Sequence, residues 1–397
     1  MTTPIYFDHA ATSWPKPDAV VAAVCEQLRQ GGGNPGRSGH RMSIAASRVV
    51  MRARECVAQF LGVSDPSRVA FAPHATHALN LAMYGLLRPG DHVVTTSLEH
   101  NSVMRPLRDL ESAGVAVSVV PCDAHGVLDL EAARRAMTRE TRLVVATHAS
   151  NVTGTIMPIE ALARLAHAHG ALMLVDAAQT AGALPINIGA TGIDLLAFTG
   201  HKGLMGPTGT GGLYVREGVP LRPLVRGGTG SDSAHERQPD FMPDAFESGT
   251  CHIEGLAGLG AAVEFITDVG LDAIRAHEQS LVARFLGRAS EVPGLIVYGP
   301  PNVADRTGVI SVNLQSASPS EVGLVLDETF GIMVRVGLHC APAAHATIGT
   351  MPTGTVRFSV GWFNTLDQVD RAIEALRDTA AWAVRPDGRP SPATSHS

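Results

Sequence analysis

Lysine is almost missing from this sequence. Of 31 basic residues only two are lysines, Lys16 and Lys202, and the rest are arginines. Chemistry that needs a side-chain amine therefore has two candidates, and Lys16 sits between Pro15 and Pro17 in an extended segment. Aromatic residues make up only 5% of the chain against 41 glycines, which suits an α/β protein with tight strand–helix turns rather than a β-sandwich. No CxxC pair occurs among the five cysteines (Cys25, Cys56, Cys122, Cys251, Cys340). Their odd number and wide spacing argue against a disulfide framework, and Cys25 and Cys56 fall in helical patterns where a thiol packs as a small apolar group. No apolar run reaches the roughly 18 residues of a membrane span. The N-terminus lacks the charged and apolar regions of a signal peptide. The net charge is −6 with no long basic run, which argues against nucleic acid as a partner. The cytoplasm is the simplest location.

With 397 residues and 45% hydrophobic content, the chain can fill two cores. Strand-like apolar runs at 68–72, 92–96, 116–120, 143–147, 172–175, 195–198 and 212–215 alternate, in the first half, with helical patterns at 76–86, 102–112, 130–137 and 159–169. Near-continuous apolar strands separated by helices predict a mostly parallel sheet covered on both faces. After about residue 265 the pattern changes. A long helix (271–289) precedes short strands near 296–298 and 308–313, a helix at 320–328, a strand at 355–360 and a last helix at 366–379, which reads as a smaller α+β domain. Residues 385–397, rich in Pro, Ser and Gly, read as a disordered tail.

Parallel sheets bind ligands beyond the carboxyl ends of their strands, so the residues there carry the functional reading. Asp176 ends the buried run Leu172-Met173-Leu174-Val175. A carboxylate there is costly unless paired; it is either a helix cap or the partner of a buried cation such as a protonated pyridine nitrogen. Lys202 follows the strand ending Phe198-Thr199-Gly200-His201. A solvated lysine is the plain alternative, but the flanks are apolar and glycine-rich, and a Schiff base needs an amine that can lose its proton, which arginine cannot supply. Thr76 opens a helix whose first N–H groups can hold a phosphate, although capping alone would also explain it. His100 follows another strand, where it could stack on a ring or shuttle a proton, and Asn151 lies in a third polar turn.

Taken together, Asp176-x-x-Gln179 and His201-Lys202 resemble the aspartate aminotransferase fold type of pyridoxal-phosphate enzymes, class V branch. The run Arg335-Val336-Gly337-Leu338-His339-Cys340 resembles the R-x-G-x-H-C segment of group II cysteine desulfurases and selenocysteine lyases. Tyr6 to Thr12, Asn34 to His40, Glu247 to Thr250 and Thr355 to Ser359 extend the likeness over nearly the whole chain. The resemblance implies fold type I: a large domain (17–264) with a mainly parallel seven-stranded sheet, a smaller α+β domain (265–384) carrying the nucleophilic cysteine, and an N-terminal segment (1–16) packing with the small domain. It also assigns roles. Lys202 joins pyridoxal 5'-phosphate and moves the Cα proton; Asp176 holds the ring nitrogen, Gln179 the ring hydroxyl, and His100 stacks on the ring. Ala75, Thr76, Thr199 and His201 bind the phosphate, with Thr250 reaching in from the other subunit of a homodimer. Arg357 and Asn151 hold the substrate carboxylate, Arg335 and His339 line the substrate side, and Arg37 and His40 line the partner's entrance.

A pyridoxal enzyme can transaminate, racemise, eliminate or desulfurate, and Cys340 selects among these. It follows Arg335 and His339, and cationic neighbours favour a thiolate. The expected reaction converts L-cysteine to L-alanine and leaves the sulfur as a persulfide on Cys340, for an acceptor protein or a small thiol to collect. Selenocysteine lyase, another C–S lyase and an aminotransferase are the alternatives. His74-Ala75-Thr76-His77 replaces the family's Gly-Thr-Thr-Glu, Val336 stands where a small or hydroxyl residue is common, and Cys251 and His252 also depart; these changes bear on substrate more than on cofactor. No metal is expected. The HxE string His252-Ile253-Glu254 lacks a downstream PCxxC, and His339, Cys340 and His345 lack a fourth ligand. A nucleotide-binding module built on the glycines of 206–212 is the non-enzymatic rival, but that run is neither a GxGxxG after the first strand nor a P-loop.

Overall fold

The computed structural model describes residues 4–36, 39–232 and 234–383. Arg37 and the tail at 385–397 lie outside the described residues. The strands are β1 (Ile5–Tyr6), β2 (Val69–Ala72), β3 (His92–Thr96), β4 (Ala116–Val120), β5 (Thr141–Thr147), β6 (Leu172–Asp176), β7 (Leu195–Thr199), β8 (Gly211–Val215), β9 (Leu295–Tyr298), β10 (Val309–Leu314), β11 (Ile332–Met333), β12 (Arg335–Gly337) and β13 (Thr355–Ser359). The helices are α1 (Asp18–Gln30), α2 (Arg41–Phe60), α3 (Ala75–Leu86), α4 (Asn101–Ser112), α5 (Leu130–Ala136), α6 (Ile159–Ala168), α7 (Ile188–Thr191), α8 (Ile253–Val269), α9 (Leu271–Arg288), α10 (Pro319–Phe330), α11 (Pro342–Thr347) and α12 (Leu366–Ala383).

The large sheet has seven strands in the order β2-β8-β7-β6-β5-β3-β4. Only β8 runs against its neighbours; the others pair in parallel. This is the mainly parallel α/β sheet that the apolar runs predicted. Its central strands are buried on both faces: β7 is covered along its whole length, and β6 from its second residue to Asp176. Parallel strands sandwiched between helices have no solvent face, so alternation disappears from their sequence. One core packs α3 and α4 against β3, β5 and β7; the other packs α2, α6 and α8 against the opposite face. The register sets Thr147 of β5 beside Asp176 of β6, and Asp176 beside Ala197 of β7, so the strand ends form one shelf.

The small sheet is antiparallel, ordered β12-β13-β10-β9, and α9 and α12 bury Leu281, Phe285, Ile373 and Leu376 in its core. Helix α10 starts at a capping box, with Ser318 and Glu321 satisfying each other's backbone N–H, and stops at Gly331 in the left-handed region. That sharp stop turns the chain directly into β11 and β12. The N-terminal segment belongs to this core: β1 pairs in parallel with β11, and Ile5 and Phe7 are buried among the small domain's side chains. Among the described residues no helix is long and apolar enough to cross a membrane.

The turn that carries Lys202 rests backbone-to-backbone on the turn after Asp176. A Cβ on Gly182, which has φ +88, would overlap the Gly203 carbonyl group, and a Cβ on Gly203 would overlap the Ala181 carbonyl. We therefore expect Gly182→Ala to destabilise the protein by about 2 kcal/mol, combining the left-handed backbone with overpacking. A chemical denaturation curve with an unshifted midpoint would contradict that packing.

Candidate active site

Asp176 closes β6 with only 4% of its surface exposed. Its carboxylate accepts the Ala178 N–H at 2.9 Å. Burial raises its pKa above the ordinary carboxylate value, while that hydrogen bond and the positive charge of Lys202 pull it back. The chain after it forms a turn rather than a helix, so the helix-cap alternative does not apply. Residue 202 keeps some surface, but its amine is buried, and burial pushes the amine down to about 8. Asp176 opposes that shift, and Arg357 and Arg335 reinforce it. The other lysine braces the same peptide: Lys16 Nζ donates to the His201 carbonyl at 3.0 Å and to Ser13 Oγ at 2.8 Å. Ser13 N–H donates to the same carbonyl at 2.9 Å.

The phosphate candidates lie around the first turn of α3. His74, not Thr76, caps this helix, its Nδ1 accepting the His77 N–H at 3.2 Å. Ala75 and Thr76 are thus the first two helical residues, whose N–H groups have no partner within the helix. Thr76 Oγ1 lies 2.7 Å from Ser102 Oγ, which lies 2.9 Å from His100 Nδ1. Ser102 N–H also donates to His100 Nδ1 at 3.0 Å, so His100 caps α4 while its ring lines the cavity. Burial, then the charges of Lys202 and Arg335, pushes His100 down to about 4 and keeps the ring neutral. Thr199 Oγ1 donates to the Thr210 carbonyl at 3.4 Å, and Gln179 Nε2 to the Ala10 carbonyl at 3.0 Å. His201 Nδ1 is buried with no partner among the described residues.

Arg357 is fully buried on β13. Its Nη2 pairs with Asp8 Oδ1 at 2.7 Å and its Nη1 donates to the Asn151 carbonyl at 3.1 Å. Asn151, also buried, donates from Nδ2 to the His339 carbonyl at 2.7 Å. Cys340 is exposed, at the wall of a cavity of about 450 Å³ shared with Thr76, Asn80, Tyr84, His100 and Asn101. Arg335 Nη2 reaches its Sγ at 3.5 Å.

The expectation that His339 lends positive charge to this thiol is corrected. Its ring is 2% exposed and faces Thr355, with Nε2 3.0 Å from the threonine hydroxyl. Burial, then Arg357 and His345, pushes its pKa down to about 2, so it is neutral and turned away. Arg335 is the cation that touches the sulfur. Among the described residues, the sequence candidates that line this cavity are Thr76, His100 and Cys340; Lys202 and Gln179 line another with His9, Ala10 and Ser13, and two more candidates lie elsewhere. Thr250 is exposed beside Asn34 (3.5 Å) in a separate groove with Pro35, Phe71 and Cys251, and His40 caps α2. Sequence reasoning missed Asp8, Ser102 and Glu99. Glu99 is completely buried and pushed up to about 8, first by burial. It accepts from Thr96 Oγ1 at 2.6 Å and Thr147 N–H at 3.0 Å, tying the end of β3 to the end of β5.

A buried amine, a buried carboxylate on the neighbouring strand, an unpartnered imidazole nitrogen and two open helix N–H groups fit a ring with a cationic nitrogen, an aldehyde and an anionic arm. The Cys340 thiol opens on the cavity lined by Thr76 and His100, and the charge of Lys202 acts on that same histidine. The aminotransferase class-V model matches residues 5–372. A probable cysteine desulfurase of Methanothermobacter thermautotrophicus is 38% identical over 95% of this chain and 94% of that one. The cysteine desulfurase of Escherichia coli O127:H6 is 34% identical over 94% and 92%. The apo structure of the cysteine desulfurase from Thermococcus onnurineus NA1 superposes with a TM-score of 0.89 at 35% identity, covering 95% of each chain. The chain belongs to the aminotransferase class-V family of pyridoxal-phosphate enzymes. Within that family it groups with the cysteine desulfurases.

The scarcity of lysine makes the buried amine directly measurable. Protein without cofactor, labelled with 13Cε-lysine, gives two lysine signals, and Lys16→Met removes one of them. The Lys202 signal is expected to titrate near 8, because burial favours the neutral amine and protonation takes hold only below that pH. Titration at the ordinary lysine value, 10.5, would contradict the burial of this amine.

Proposed function

We propose that this protein uses pyridoxal 5'-phosphate to convert L-cysteine to L-alanine and takes the sulfur onto Cys340. One observation carries the reading: the exposed Cys340 thiol, touched by Arg335, shares a cavity with His100. The charges of Lys202 and Arg335 act on that same histidine. The bound cofactor supplies an electron sink and an aldehyde carbon to which an amine can be joined. Lys202 is the residue to hold it, because an amine titrating near 8 is available both as nucleophile and as base. Asp176, buried at the end of β6, is the carboxylate to pair with a protonated ring nitrogen. Ala75 and Thr76 N–H groups, with Thr199 and His201, hold the phosphate. Arg357, kept in place by Asp8, offers its guanidinium to the substrate carboxylate, and Lys202 moves the proton at Cα.

The sulfur step balances without an outside oxidant. The Cys340 thiolate attacks the substrate sulfur, the Cβ–S bond breaks, and an S–S bond forms. The electron pair from the broken bond goes to Cβ, which takes a proton to become the alanine methyl group. The sum is one cysteine and one Cys340 thiol giving one alanine and one Cys340 persulfide. Because Cys340 is exposed, an acceptor protein or a small thiol can reach that persulfide. The same residues would serve selenocysteine, and the product, sulfide or selenide, distinguishes the two. We expect Cys340→Ser to bind cofactor normally and to lose at least about 100-fold in sulfide release from L-cysteine, the scale of removing a covalent nucleophile. Normal turnover by that variant would overturn the assignment.

We further propose a homodimer in which Thr250, exposed here beside Asn34, reaches the partner's phosphate, with Arg37 and His40 at the partner's entrance. Sedimentation velocity should give the mass of two chains, and Thr250→Ala should weaken cofactor retention. A monomer with full activity would contradict shared sites.

A further inference from the structure

The turn that presents Cys340 is built from two consecutive non-glycine residues in the left-handed region, His339 at φ +48 and Cys340 at φ +58. Side chains disfavour this backbone, and adjacent residues of this kind persist only when their surroundings hold them. Within the turn, Ala341 N–H donates to the Leu338 carbonyl at 2.8 Å. The two carbonyls of the strained pair are held from the large domain: Asn151 Nδ2 donates to that of His339 at 2.7 Å, and Asn101 N–H to that of Cys340 at 2.8 Å. The nucleophile belongs to the small domain, yet its position is set by the domain that carries Lys202 and Asp176.

We propose that Asn151 is a positioning residue for the Cys340 thiol: by holding the His339 carbonyl, its side-chain amide keeps the turn in the conformation that aims sulfur into the cavity. The inference rests on the desulfurase reading and adds to it a role distinct from carboxylate binding. Asn151 is well placed for both. It sits in the turn after β5, whose last residue Thr147 is in register with Asp176. Its own backbone carbonyl is fixed by Arg357 Nη1 at 3.1 Å. A primary amide has two N–H donors; one is committed to His339, and the other remains for the substrate carboxylate beside Arg357. Asn151 thereby ties the place where substrate is held to the place where sulfur is attacked. The clamp spans 188 residues of sequence.

The test separates chemistry at Cα from chemistry at sulfur. In holoenzyme, Asn151→Ala and the volume-filling Asn151→Leu are compared with the parent in three measurements. These are alanine formation from saturating L-cysteine, deuterium exchange at Cα of saturating L-alanine in D2O, and the alkylation rate of Cys340 by iodoacetamide, followed by peptide mass spectrometry. Misplacing a reacting group by about 1 Å can cost on the order of 100-fold. We therefore expect alanine formation from cysteine to fall at least about tenfold further than Cα exchange, which itself reads the loss of the carboxylate contact, while the alkylation rate of Cys340 changes measurably. Equal losses in both reactions, or an alkylation rate unchanged in both variants, would overturn the proposal. If the parent itself makes no alanine, the desulfurase reading fails, and the alkylation rates still decide whether Asn151 clamps the turn.

Discussion

The structure depends on keeping one amine and one carboxylate out of water at adjacent strand ends. Burial works against both charges: it pushes the Lys202 amine down to about 8 and raises Asp176, while each supports the charge of the other. Sites of this kind are costly to fold and are suited to catalysis, because burial shifts both groups away from their ordinary values. The rest of the architecture serves that pair. Parallel strands deliver both residues to one shelf, and the close backbone approach at Gly182 and Gly203 leaves the turn little room to shift.

The N-terminal segment connects the pieces that must act together. Asp8 pairs with Arg357, the Ala10 carbonyl accepts from Gln179, and Ser13 and Lys16 hold the His201 carbonyl. Its first residues pair with the small domain through β1 and β11. Arg357, Gln179 and the peptide before Lys202 are therefore referenced to one strap of about a dozen residues, and the Asn151 contact adds the Cys340 turn to the same frame.

Much of this was legible in the sequence because it has local causes. The strand at residues 92–96 and the one at 116–120 match to the residue, since buried parallel strands announce themselves as short apolar runs between turns. Asp176 and Lys202 stood out as a carboxylate closing an apolar strand and one of two lysines in the chain. Helix α8 was not picked out: its sequence is mostly apolar and rich in glycine and alanine, so no strong amphipathic period marks it. The pairing of Asp8 with Arg357, 349 residues apart, has no local signature. The left-handed pair at His339 and Cys340 was equally hidden, because non-glycine residues give no cue to that conformation. The charge expected of His339 failed for a related reason: a motif shows a titratable side chain but not the burial that keeps it neutral.

The most direct test of the central claim is to reconstitute the protein with pyridoxal 5'-phosphate, reduce it with borohydride and map the trapped cofactor by peptide mass spectrometry. With only two lysines the result is close to binary. The expected result is modification of the peptide containing Lys202 and none at Lys16. Cofactor trapped on Lys16, or on neither lysine, would contradict it.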